Sequence, residues 1–335
     1  MQKITYLEKG IYFESFAATG GHEEGRGPIG SMFDFIDEKD RFGMKTWEKA
    51  EAEMSRITFN LALKKINLDA KNLNVLIAGD LQNQCVASSG GLFSFGIPFL
   101  GLYGACSTCT EGLLVLSAML TSSKNYTRGA SITSSHNAAA ERQFRTPIEY
   151  GGQRTPSSQW TATASGAFIL SKEKTKAKIS AFMPGKIIDG YTKDQSNMGA
   201  AMALAAFDSI SSFFKENNPD DFDAIYTGDL GKVGSEILEK LLVEKEEKHG
   251  TKLASLHKDC GLILYDRNTQ DVHSGASGCG CSASVLASYI LPKVVKGEYK
   301  KILFLSTGAL MSTSSVCQGD NILGVAPAIQ IEHEE

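Results

Sequence analysis

Two short apolar runs in this chain end the same way. Asn74-Val75-Leu76-Ile77-Ala78-Gly79-Asp80 and Asp223-Ala224-Ile225-Tyr226-Thr227-Gly228-Asp229 each read as a buried strand stopped by Gly-Asp. Their surroundings match as well. A helical pattern from Lys45 to Lys65 precedes the first, with Trp47, Ala50, Met54, Ile57 and Leu61 at three-to-four spacing. An apolar helix from Met198 to Phe214 precedes the second. After each run comes a glycine-bearing turn that leads into an apolar helix, from Gly104 to about Met119 and from Ser274 to Leu291, the second preceded by another helix from about Gly234 to Lys245. Further strands are expected at Arg128 to Ser134 and Ser165 to Leu170, then at Lys301 to Ser306 and Val325 to Ile331. The pattern predicts an α/β protein made of two copies of one unit, residues 1–175 and 176–335, divided by the polar stretch Ser171 to Ser196. Strands alternating with helices in this way imply sheets covered on both faces.

A chain of 335 residues with 42% hydrophobic content can fill the core that such a duplication needs. Its 34 basic and 38 acidic side chains give a formal charge of −4, so nucleic acid is not an expected partner. The seven cysteines lack the spacing of a secreted disulfide framework and point to a reducing compartment. Cys106/Cys109 and Cys279/Cys281 have no closely spaced second pair, and no metal site or cofactor is expected from them. The start, Met1-Gln2-Lys3-Ile4-Thr5, lacks the apolar run of a signal peptide. The most apolar stretches, Leu113 to Leu120 and Ala200 to Ala206, are too short for a bilayer span. Work at a membrane would therefore need partners or surface contacts.

Ligands of open α/β sheets sit beyond the carboxyl ends of the strands, where helix N-termini present free N–H groups. Cys106 is expected there, among the small residues Gly104, Ala105 and Ser107, with a following helix that would lower its thiol pKa. The plainer alternative is a cysteine buried as a small hydrophobe. His136 closes the strand that starts at Arg128, with Asn137 beside it, on the same edge as Cys106. A thiolate–imidazolium pair there would support acyl transfer; a histidine bonded to loop backbone is the alternative. The acidic segment from His22 to Asp40 lacks the ligand spacing of a calcium loop and reads as a solvated loop or lid.

Several blocks together carry a family resemblance over nearly the whole chain. They are Gly104-Ala105-Cys106-Ser107-Thr108 with Glu111-Gly112-Leu113, the stretch from Ser134 to Gly151, Gln270 to Ser284, and Ser306 to Ser312. In this order they resemble the stage V sporulation protein AD family of spore-forming Firmicutes. The first block is shared with ketoacyl-acyl-carrier-protein synthases. The resemblance implies a thiolase-like fold whose duplicated α/β halves form a five-layered sandwich. It also implies a ligand, dipicolinic acid, with or without calcium, and a homodimer. The location implied is peripheral, on the cytoplasmic side of the forespore or spore inner membrane, beside the membrane subunits of the stage V channel. A dicarboxylate favours arginine forks or helix N-terminal amides. Arg142 and Arg145 in the second block are candidates, and so are Arg26 and Arg154, though each reads first as a surface or dimer-contact arginine.

The similarity to ketoacyl synthases lets catalysis be tested by residue. Their nucleophile corresponds to Cys106, and condensation further needs donors that hold a carbonyl while charge develops on its oxygen. The place of their histidine falls at Gly228, beside Asp229, and that of their asparagine at about Cys279. Glycine offers no donor, and aspartate repels an oxyanion. The expectation is a sporulation protein that binds dipicolinate around Cys106, His136, Asn137, Arg142, Arg145, Gly228, Asp229 and Cys279 and supports its uptake into the spore without catalysis. A thioester-dependent acyl transferase using Cys106 and His136 is one alternative. A channel scaffold without a ligand is the other.

Overall fold

The structure is a computed structural model that describes residues 2–144, 154–246 and 248–335, the side chains of 142–144 excepted. In the first half, β1 (Thr5–Gly20), β2 (Val75–Gly79), β3 (Phe99–Leu102), β4 (Arg128–Ser135) and β5 (Ala164–Ser171) lie in the order β3-β2-β4-β5-β1. In the second, β6 (Ala177–Met183), β7 (Ala224–Thr227), β8 (His257–Asp259), β9 (Lys301–Leu305) and β10 (Ala328–His333) lie in the order β8-β7-β9-β10-β6. The two orders are the same permutation. In each half the strand that ends in Gly-Asp has parallel neighbours on both sides. The next pairings, β4 with β5 and β9 with β10, are antiparallel. β1 and β6 pair antiparallel and join the halves, with a register break between Tyr6 and Ile11.

Helices fill three layers around these sheets. α1 (Trp47–Lys65) starts at Thr46, whose hydroxyl caps the amide of Lys49 at 3.3 Å. With α2 (Val86–Leu92) it covers the first half, setting Phe59, Ala62 and Leu92 against Leu76, Ile132 and Ile169. α5 (Met198–Phe213) and α6 (Gly231–Lys245) cover the second half, with Ile210, Phe213 and Leu238 against Ile225, Leu303 and Leu305. Between the sheets run α3 (Thr108–Ser122) and α7 (Cys279–Val285). Leu113, Leu116 and Leu120 of α3 share one core with Phe168 of β5 and with Phe304 and Ile331 of the second half. The short α4 (Asn137–Phe144) follows β4. Among the described residues no helix is long and apolar enough to cross a membrane.

Two segments differ from expectation. The stretch from Ser171 to Ser196, read as a polar separator, contains the central strand β6. Its buried residues Ala177, Ile179 and Ala181 alternate with half-buried Lys178 and Ser180, a period of two carried largely by alanine and therefore faint in hydrophobicity. The acidic segment after β1 is also more tightly tied than a solvated loop. Asp34 accepts the amide of Ala18 at 2.9 Å, Asp37 that of Phe42 at 2.6 Å and Asp40 that of His22 at 2.6 Å.

Candidate functional site

Cys106 lies in the turn between β3 and α3, at the carboxyl ends of the strands. Ala105 holds a left-handed φ of 52°, which costs an L-residue about 1–2 kcal/mol and lifts the cysteine to the tip of the turn. Gly104 leaves room for the Glu111 carboxylate, which a Cβ there would meet at 2.1 Å and push aside.

The side chain that meets the thiol is Asp229, which follows β7 and is fully buried. Its charge acts on the Cys106 thiol. The amide of Gly278 donates to Oδ2 at 2.8 Å and the hydroxyl of Thr307 to Oδ1 at 2.9 Å. Burial raises this carboxyl to about 7; the neighbouring Cys106 thiol opposes the rise and the charge of Asp259 adds to it. Burial and then the Asp229 charge push the Cys106 thiol well above the ordinary range, against the Gly278 N–H. This corrects the expectation of a helix-lowered thiol, because desolvation and a carboxylate together outweigh one helix N-terminus.

The neighbouring candidates have structural partners. A Cβ on Gly228 would lie 3.0 Å from Ser306 Cα and 3.1 Å from Thr307 N, so that position excludes any side chain without movement. Cys279 opens α7 and donates to the carbonyl of Ser134 at 3.0 Å. His136 is buried, with Nε2 2.8 Å from the carbonyl of Asp40 and its ring against Trp47 at 5.3 Å. Burial lowers its pKa, it does not line the cavity at Cys106, and its Nδ1 has no partner. The thiolate–imidazolium pair is thus not formed in this geometry: the imidazole is bonded to the Asp40 backbone, away from the cavity that Cys106 lines. Asn137 donates from Nδ2 to the carbonyl of Thr161 at 3.2 Å. Arg145 and the side chain of Arg142 lie outside the described residues. Arg26 pairs with Glu23 at 3.1 Å, and Arg154 with Asp271 at 2.7 Å.

In front of Cys106 a cavity of about 320 Å³ opens between the halves. Leu81, Tyr103 and Ala140 line it from the first half, and Met198, Ala309 and Leu310 from the second. Thr161, Ser277, Ser312 and Ser315 supply hydroxyls, and Gly278 brings its backbone. Among the described lining residues Glu141 carries the one ionisable carboxylate, which accepts the Thr161 hydroxyl at 3.3 Å, and none is basic. Among the described residues no group of three His, Cys, Asp or Glu is placed to hold a metal ion. The serines of the segment after Ser306 were missed from sequence. Their signal was the run Ser312-Thr313-Ser314-Ser315 following a strand, at the place where ligands of α/β sheets sit.

Duplicated sheets around two central helices, with a cysteine at the strand ends, define a thiolase-like α/β protein. Solved structures agree on the fold. A histidine-to-aspartate variant of OleA from Xanthomonas campestris superposes with a TM-score of 0.62 at 10% identity, covering 98% of this chain and 100% of that one. The 3-oxoacyl-[acyl-carrier-protein] synthase III of Aquifex aeolicus VF5 gives 0.51 at 12% identity, covering 98% and 99%. The family model of Stage V sporulation protein AD matches residues 2–332. The stage V sporulation protein AD of Bacillus subtilis (strain 168) is 40% identical over 328 residues, 97% of this chain and 95% of that protein. The chain belongs to the stage V sporulation protein AD family, and is a sporulation protein with a thiolase-like fold.

Proposed function

We propose that this protein binds dipicolinic acid, with or without calcium, in the cavity at Cys106 and supports its uptake into the developing spore without catalysing a reaction. The observation that carries the reading is the cavity itself. Its volume of about 320 Å³ lies at the low end of the roughly 300–1,000 Å³ of small-molecule sites. It is closed by apolar side chains that suit an aromatic ring, with hydroxyls and the Gly278 backbone at its polar end. The non-catalytic part is supported by the thiol, which burial and Asp229 hold protonated, and by the engagement of His136 with backbone. Family membership supports a peripheral place at the forespore membrane beside the channel subunits. A second copy of the chain is the proposed occupant of the free edge of β3, where Phe99 and Leu100 are exposed.

Isothermal titration of dipicolinate, with and without calcium, tests the ligand. Saturable heat is expected for the wild type and for Cys106→Ala, since a buried, protonated thiol is not needed to hold an aromatic dicarboxylate. Leu310→Trp, which fills a half-buried position of the wall, should abolish it. No saturable heat at millimolar ligand, or an unchanged response in the tryptophan variant, would refute the reading.

A further inference from the structure

The walls of the Cys106 cavity are not all rooted alike. Leu81 and Ala140 on one side, and Ala309 on the other, belong to buried hydrophobic clusters. Beyond Ala309 the wall continues as Met311, Ser312 and Ser315, which lie on a surface excursion of the chain. That excursion leaves the body at Gly308–Leu310 and returns at Leu323–Val325, two short strands that pair antiparallel with Leu310 opposite Leu323. Residues 311–322 therefore form a loop with its ends held side by side, as in an Ω-loop. Its base is anchored. Met311 packs on the second-half core, and Ile322 is buried with its amide donating to the carbonyl of Thr192 at 2.8 Å. Asn321 Nδ2 donates to Asp189 Oδ2 at 3.0 Å.

The span between these anchors is self-contained. Residues 312–320 are exposed or half-buried, and the helical turn Thr313–Cys317 buries none of its side chains. Among the described residues, the hydrogen bonds of 312–320 all close within the span. The amides of Ser312 and Ser315 donate to each other's hydroxyls at 3.0 and 3.1 Å. Those of Val316, Gln318, Gly319 and Asp320 donate to the carbonyls of Ser312, Ser314, Val316 and Ser315 at 3.0–3.1 Å. Gly319 makes its turn with a left-handed φ of 80°, and a Cβ there would meet nothing within 4 Å. Lifting such a span from the body forfeits neither core burial nor backbone pairing, so its opening costs little.

We infer that residues 312–320 are a lid on the Cys106 cavity, hinged at the paired strands, which lifts to admit a ligand and is held shut by the ligand it covers. The inference rests on the proposed dipicolinate site for its ligand but not for its hinge. A ring seated in the cavity touches the rooted wall and, through Ser312 and Ser315, the lid. The second set of contacts exists only with the lid down. An open state that holds no ligand is then suppressed by one plus the ratio of free ligand to Kd, about a hundredfold at a hundred times Kd.

Two measurements decide it. The first is hydrogen exchange of the full chain, read by mass spectrometry. In the free protein the amides of Val316, Gln318, Gly319 and Asp320 should exchange at least about a hundredfold faster than those of β9 and β10. Dipicolinate at a hundred times its Kd should slow them about a hundredfold. Protection equal to that of β9 in the free protein overturns the inference. So does exchange that ignores dipicolinate while calorimetry shows the cavity saturated. The second measurement needs no ligand. Replacing 313–319 by Gly-Gly keeps Leu310 paired with Leu323, and circular dichroism and urea midpoint should match the wild type. Cys106, 5% exposed in the intact chain, should then react with N-ethylmaleimide about tenfold faster, read by peptide mass. An unchanged rate in the folded variant overturns the inference, because the span then covers nothing. A variant that fails to fold overturns it too, because the span then belongs to the body. Absent heat at every ligand concentration, with fast exchange and an unmasked Cys106, refutes the dipicolinate site alone.

Discussion

The buried carboxyls of this interior should make its stability fall as pH rises, and Glu24 gives the cleanest case. It is 1% exposed and bridges three parts of the chain, accepting the amides of Gly21 at 3.0 Å and Thr163 at 2.9 Å and the hydroxyl of Tyr265. Burial outweighs these bonds and raises the carboxyl from 4.5 to about 7. Between those values the native state holds a proton that the unfolded state has released, so unfolding stability declines with pH. The contribution is complete below pH 4.5, is lost progressively above it, and is gone once pH exceeds about 7. The full loss is about 3 kcal/mol, most of it between pH 5 and 8. Glu24→Gln cannot titrate. Urea unfolding of both proteins from pH 5 to 8 should show the wild type losing about 2–3 kcal/mol more than the variant. The absolute stability of the variant is not diagnostic, because its amide cannot accept all three donors. Parallel curves, or a wild type that gains on the variant with rising pH, would refute the reasoning.

Two further outcomes follow from packing. Gly228→Ala would place a Cβ within 3.2 Å of Ser282 and closer to Ser306 and Thr307, so β9 and α7 must give way. A cost of about 1–3 kcal/mol is expected, and an unchanged urea midpoint would show that the contact is not tight. Among the described residues β3 is the last strand on its side of the sheet, with Phe99 and Leu100 exposed. If a second copy pairs there, light scattering should give a dimer for the wild type and a monomer for Leu100→Lys, with unchanged circular dichroism; a wild-type monomer at tens of micromolar sinks the idea.

The sequence made the duplication legible because strands buried on both faces read as continuous apolar runs. β2 and β7 are such strands, and each stops at a Gly-Asp that no strand continues through. The edge strands β3 and β8 gave little signal, one being largely exposed and the other only three residues long. β6 escaped because alanine marks its inner face. In the site, the position of Cys106 at a helix start could be read from its small neighbours, but its chemistry could not. A helix start alone argues for a low thiol pKa, and only the fold brings Asp229 across from the other half to reverse it. His136 misled for a related reason. Its strand does end on the expected edge, yet the partner that claims it, Asp40, lies in a loop whose path no periodicity announces.

The two Gly-Asp endings also show how a duplicated unit can acquire a site without new elements. Asp80, after β2, accepts the amide of Gln82 at 2.9 Å and both the amide and hydroxyl of Ser88 at 2.8 and 2.6 Å, stapling its own strand to α2. In the second half the corresponding duty, holding the amides that open α6, is performed by Asp259 from a neighbouring strand. Asp229 is therefore released from that duty, and its carboxyl instead takes the Gly278 amide and the Thr307 hydroxyl at the seam, with its charge acting on Cys106. The consequence is electrostatic. A histidine in contact with a thiol can carry positive charge and stabilise the thiolate, whereas a carboxyl can only compete with the thiol for one proton. The residue at the Gly-Asp ending of β7 thus bears on the sulfur at the seam between the halves, and here its charge opposes a thiolate.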